Sequence, residues 1–170
     1  MSRLFKKSLI KRHGMLTGMI SKRHNYGLGF PSPAELRDIV KLELFEQERY
    51  DKIKQVWLDQ YRFDNRYYSS ILDKNEYNTF ISRLNESKMF IFPVEYNNKY
   101  YVLLSQFQDK HIFFTSADSY TKTGFENSIP YIVISIYDDL IHNKNIALIR
   151  TELIDPLHLK MEQLRVIVDD

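Results

Sequence analysis

The residues of this chain that could do chemistry are few and scattered. His111 stands two positions from Asp109, a spacing that puts both side chains on one face of a strand when no turn intervenes. An acid–base pair would need that placement, yet no nucleophile elbow or third member accompanies it. Asp138 and Asp139 follow a predicted strand, a common seat for catalytic carboxylates. Adjacent acids that open a helical turn also serve as caps. His158 and Glu162 lie one helical turn apart, a spacing shared by metal pairs and ordinary surface pairs. No HExxH, CxxC or clustered Asp/His set supports a metal. "YGLGF" holds only a GxG fragment leading into a proline, so it is neither a dinucleotide fingerprint nor a phosphate loop. The sequence therefore predicts no catalytic, cofactor or metal site.

Composition narrows the classes further. The chain has 170 residues and no cysteine, which excludes a disulfide framework, a thiolate nucleophile and cysteine-ligated zinc. It carries 12 Tyr and 11 Phe, but no apolar run approaches the roughly 20 residues of a membrane span. The net charge of +2 is uneven. Residues 1–34 hold seven basic side chains (Arg3, Lys6, Lys7, Lys11, Arg12, Lys22, Arg23) and no Asp or Glu. Taking those seven from the 24 Lys and Arg leaves 17 basic against 22 acidic residues in 35–170, a net of −5. An acidic body argues against nucleic-acid binding, whose affinity comes mainly from neutralising phosphates.

The leader has the composition of a mitochondrial transit peptide: basic and hydroxyl residues, no acids and an amphipathic start. On a helix Arg3, Lys7 and Lys11 recur every four residues, while Phe5, Leu9 and Leu16 follow a different side. The competing reading is a disordered basic tail. Residues 1–30 are thus expected to be a transit peptide or disordered leader, with 31–170 a single α+β domain.

In that domain "SPAELRDIVKLELFE" predicts a first helix, with Ser32 as cap, Pro33 in the first turn and Glu35 completing a capping box. A second helix over about Asp51–Tyr61 presents Ile53, Val56, Trp57 and Tyr61. "RFDNRYYSS" is expected to be a loop. Asp73 and Glu76 form a capping box for a third helix that buries Tyr77, Phe80, Ile81 and Leu84. Past residue 88 the period changes. "MFIFPV", "YYVLLSQF", "HIFFT", "YIVISI" and "NIALIRTEL" are β-branched and aromatic runs bounded by turn-forming clusters. The first three should form an antiparallel meander. One helical turn is expected after Ser116, a turn or short helix in "YDDLIHNK", and a terminal helix opened by Asp155 and Pro156. Helices, then strands, then a closing helix predict an α+β fold with a mainly antiparallel sheet.

A two-residue turn at Asp109–Lys110 sets Gln106 opposite Phe113 and Phe107 opposite Ile112. One face then carries Tyr101, Leu103, Ser105, Phe107, Ile112 and Phe114 and is the core face. The other carries Val102, Leu104, Gln106, Gln108, His111, Phe113 and Thr115, a mixed set suited to a covering helix, to water or to a partner. Gln106, Phe113 and Thr115 on that face are the partner-binding candidates, together with Tyr67 and Tyr68 of the expected loop. Asp-Lys is a poorer turn than Asn-Gly, and a one-residue slip would exchange the faces.

The ordered series "LRDIVKLELFEQERYDKIKQVWLDQY", "MFIFPV", "YYVLLSQFQDKHIFFTSADSY" and "IPYIVISIYDDLIHNKNIALIRTEL" resembles the mitochondrial ATP synthase F(1)-complex assembly factors that chaperone the beta subunit. Trp57, Phe92, Pro93, Phe114, Tyr120 and Leu148 match its pattern, and core packing is the expected role of each. Two positions depart from it. Asn145 stands where the family commonly has glycine before the last strand, and Thr151 where a second glycine often follows that strand's arginine. The resemblance implies a non-enzymatic chaperone of the mitochondrial matrix, without cofactor or membrane insertion. It would bind the unassembled beta subunit and shield the surface later taken by alpha. The competing functions are a small mitochondrial enzyme using His111 or Asp138, and an RNA- or ribosome-associated module using the sheet aromatics.

Overall fold

A computed structural model describes residues 9–10, 33–96, 99–124 and 127–154. The helices in chain order are α1 (Leu36–Ile39), α2 (Leu42–Gln47), α3 (Tyr50–Gln60), α4 (Lys74–Glu86), α5 (Ala117–Thr123) and α6 (Ile141–Lys144). The strands are β1 (Tyr67–Asp73), β2 (Met89–Tyr96), β3 (Lys99–Gln108), β4 (His111–Ser116), β5 (Ile132–Tyr137) and β6 (Ile146–Leu153). They form one six-stranded sheet of order β1-β6-β5-β4-β3-β2, with every neighbouring pair antiparallel. The fold is α+β. The expected closing helix, with His158 and Glu162, lies outside the described residues, as does the Ser32 cap.

Strand alternation gives this sheet two apolar faces. On one, Leu103, Ile112, Phe114, Ile132, Ile134, Ile136 and Ile149 are buried beneath α4, whose Leu84, Tyr77, Phe80 and Ile81 pack on them. On the other, Tyr137, Ile146 and Leu148 meet Leu36, Ile39, Phe45, Ile53, Val56 and Trp57 of α1–α3. That second face is covered by these helices only at its β1, β6 and β5 side.

Local chemistry explains the element ends. The Asp73 carboxylate accepts from the Asn75 and Glu76 N–H groups at 2.7 and 2.9 Å, while Glu76 accepts from the Asp73 N–H at 2.7 Å. This is the reciprocal capping box foreseen for α4. Asp109 and Lys110 have φ of 45° and 66°, the two positive values of a type I′ turn. The turn fixes the expected register, with Gln106 opposite Phe113 and Phe107 opposite Ile112. Asn145 adopts φ 55°, ψ 35°, the left-handed conformation that glycine usually supplies, and asparagine tolerates it.

Two expectations need correction. The stretch read as a loop contains β1, so Tyr67 and Tyr68 are strand residues, and only the residues between α3 and β1 make the turn. Tyr-Tyr and Ile-Leu favour strand, and β6 supplies the pairing that Ser69 and Ser70 disguise in the sequence. The single first helix is two, because Val40 is extended (φ −122°, ψ 162°) and separates α1 from α2. Glu35, rather than a more distant residue, is the cap of α1, and Asp38 completes its box.

Candidate protein-binding surface

The residues expected to touch a partner occupy different places in one sheet. Phe113 is 1% exposed and Thr115 0%, so their face is closed over them. Among the described residues the Thr115 hydroxyl has no hydrogen-bond partner. Gln106 is half-buried on the same face, between Phe113 and the edge residue Met89. Tyr67 and Tyr68 are half-buried at the far edge and, as neighbours in β1, point to opposite faces. Among the family-pattern residues, Trp57, Phe114 and Leu148 are core. Phe92 is half-buried against the Phe114 ring, 5.5 Å between centroids, whereas Pro93 and Tyr120 are exposed.

The far edge is sealed by aromatic and ionic packing. The Trp57 indole N–H donates to the carbonyls of Ser70 and Ile149 at 3.2 and 3.1 Å, which face each other across β1 and β6. Tyr61 and Tyr137 stand edge-on to it at 5.6 and 6.0 Å, the favoured geometry for aromatic pairs. Arg150, 4% exposed, lies 4.4 Å from the Tyr67 ring and gives a 3.3 Å bond to Glu152, which also accepts from the Tyr67 hydroxyl. Burial opposes the Arg150 charge, but Tyr137, Tyr61, Glu152 and Tyr67 hold its pKa above the usual value. Phe63, in the turn after α3, is 90% exposed.

The β2–β3 edge is open. Met89 and Ile91 of β2, with Tyr100 and Val102 of β3, are 47, 70, 73 and 41% exposed. All four point to the face that α1–α3 cover elsewhere. The register pairs Pro93 with Val102 and Glu95 with Tyr100, so the four make one diagonal apolar stripe. Its backbone is also available. Phe107 N–H donates to Lys88 C=O at 2.8 Å across the Met89–Gln106 pair, which makes that pair a non-hydrogen-bonded one. By alternation Met89, Ile91, Pro93 and Glu95 then turn their backbone polar groups outward. Pro93 has no N–H to offer there, the position where an edge strand tolerates proline. Sequence reasoning placed Val102 on this face but missed Met89, Ile91 and Tyr100. The available signal was Pro93, which marks β2 as an edge.

The groups considered for catalysis are tied into the sheet. His111 Nδ1 lies 3.1 Å from Ser135 Oγ on the adjoining strand. Burial lowers its pKa to about 4, with Asp109 pulling upward and Lys110 downward. The Asp138 carboxylate accepts from Lys110 Nζ at 2.6 Å and the Tyr77 hydroxyl at 2.8 Å, joining α4 to the β3–β4 turn. Burial and the bond to Asp138 push Tyr77 up to about 12. Among the described residues, no three His, Asp or Glu side chains gather as a metal site.

The arrangement can hold a protein segment at an apolar edge. A search of the curated proteins returns no match. The family described as ATP11 protein matches residues 29–169, nearly the whole chain and all six strands. The chain belongs to this family, the assembly factors of the ATP synthase F1 head.

Proposed function

We propose that the chain is a non-enzymatic chaperone of the mitochondrial matrix that binds the unassembled beta subunit of ATP synthase and covers its alpha-facing surface. The family supplies the role in F1 assembly. The observation that carries the rest is the exposed stripe of Met89, Ile91, Tyr100 and Val102 beside an open strand edge. An unassembled subunit exposes the surface its neighbour will bury, and such surfaces have apolar, aromatic-rich centres. A stripe of this kind is a means of covering one. Gln106 borders the stripe and offers an amide at its margin, while Phe113 and Thr115 support the face from within. Tyr67 and Tyr68 with exposed Phe63 form a second contact at the opposite edge. Residues 1–30 act as the import leader and 31–170 as the working domain.

The test is capture of isolated subunits by the purified protein. Beta should be retained and kept soluble, alpha should not, and an unrelated unfolded protein should be protected far less. Equal protection of all three would count against this function.

A further inference from the structure

The break between α1 and α2 is occupied. Extended Val40 forms an isolated antiparallel bridge with Ile10, and the Lys41 N–H donates to the Leu9 carbonyl at 2.8 Å. Leu9 is 2% exposed and lies in the cluster of Leu36, Ile39, Val40, Phe45 and Trp57, with Ile10 packed at its margin. Two residues of the basic leader therefore sit in this notch, Leu9 in helical conformation and Ile10 as a single bridge residue. They supply one aliphatic side chain to the floor and one carbonyl to the waiting donor.

The notch does not depend on them for its frame. The capping box of Glu35 and Asp38 starts α1, the Tyr137 hydroxyl donates to Ala34 C=O at 2.9 Å, and α2 begins from the Lys41 carbonyl. Without Leu9 and Ile10 the framed notch keeps an apolar floor newly open to water, which is unfavourable, and a backbone N–H free to donate to a new acceptor. A shallow cleft lined by Arg37, Val40, Lys41, Leu42 and Leu44 adjoins it, leaving an approach from solvent.

We propose that this notch is a docking slot for an aliphatic segment of the client, and that Leu9–Ile10 is its intramolecular occupant. Loss of the leader then opens the slot. The incoming segment must offer what Leu9–Ile10 offers: a leucine-like side chain and, beside it, a carbonyl for Lys41. The proposal rests on the reading that residues 1–30 are removed and that the domain holds an unassembled subunit. It gives the precursor a closed form and the processed protein an open one.

The probe is a labelled peptide of residues 4–14, tested against the full chain. Leu9→Asp should eject the internal segment, and the peptide should then bind about tenfold or more tightly than to the unmodified chain, where competition within the molecule suppresses it. Adding Lys41→Pro to Leu9→Asp should weaken that binding about fivefold, the effect of one hydrogen bond. Proline suits this site because Lys41 has φ −83° and follows an extended residue. Should Leu9→Asp unfold the chain, Leu9→Ala answers through hydrogen exchange. The Lys41 amide should lose protection while that of Ile149 keeps it. Equal peptide binding by unmodified chain and variant, no binding by either, or a Lys41 amide indifferent to Leu9→Ala overturns the slot. If the peptide binds as expected but the beta subunit is never captured, the chaperone role fails and with it the client as occupant, while the notch remains a slot for an aliphatic segment.

Discussion

Tyr67, Ser69 and Ile71 of β1 belong to the same sheet face as Met89, Ile91 and Pro93 of β2, at its two opposite edges. Under α3 the first edge is locked: Trp57 reaches the backbone of two strands, and Arg150 is wedged against Tyr67. The second edge has equally apolar side chains but exposes Ile91 and Tyr100 by 70 and 73%. Hydrophobicity does not separate the two. What separates them is that the short helices α1–α3 lie over the first and not the second, so the same kind of surface is packed at one end and exposed at the other.

Breaking the locked edge should have the largest effect. Trp57→Ala removes the indole and its bonds and should cost about 3–5 kcal/mol, read as a fall in the urea midpoint. His111, between the two edges, should bring a pH dependence. The unfolded chain protonates it below 6.5, the folded chain only near 4. The neutral buried form therefore favours folding at higher pH, and that advantage is lost as pH falls from about 6.5 to about 4. The loss should reach about 3 kcal/mol at most, and in His111→Gln the melting temperature should vary much less across this window.

At the open edge stability and function should part. Ile91→Ser with Tyr100→Ser should change stability by no more than about 0.5 kcal/mol each, as for surface sites. Beta-subunit capture should weaken at least tenfold, about 1.4 kcal/mol. A stable double variant with undiminished capture would move the contact elsewhere. The smallest effect belongs to Thr151, fully buried with a hydroxyl that finds no partner among the described residues. Thr151→Val keeps the shape, removes the stranded polar group and should raise stability by up to about 1 kcal/mol in chemical denaturation.

Much of the scaffold was legible because its signals are local. The Asp73–Glu76 capping box, the strand runs and the Asp109–Lys110 turn each depend on residues close in sequence, and the turn alone set which side chains share a face. Asn145 was readable as a left-handed position for the same reason. The misses were long-range. β1 exists because β6 pairs with it, and the break at Val40 is paired with Ile10, thirty residues upstream in the numbering. The mixed face was assigned with the members along β3 and β4 that the register gives it. Which end of it lies open depends on what the rest of the chain packs against it, and no pattern in β3 or β4 encodes that. Phe113 and Thr115 were therefore chosen from the closed end, while Ile91 and Tyr100 at the open end went unnoticed.

Pro93 has a consequence for the protein's own company. Two copies laid edge to edge along β2 would find a donor missing at the middle of the shared ladder and the charge of Glu95 carried into it, devices that discourage edge-to-edge pairing. An F1 assembly factor is thereby discouraged from pairing with a second copy of itself. Restoring the donor with Pro93→Val should raise light scattering in concentrated solutions, and unchanged scattering would show that something other than this proline keeps the copies apart.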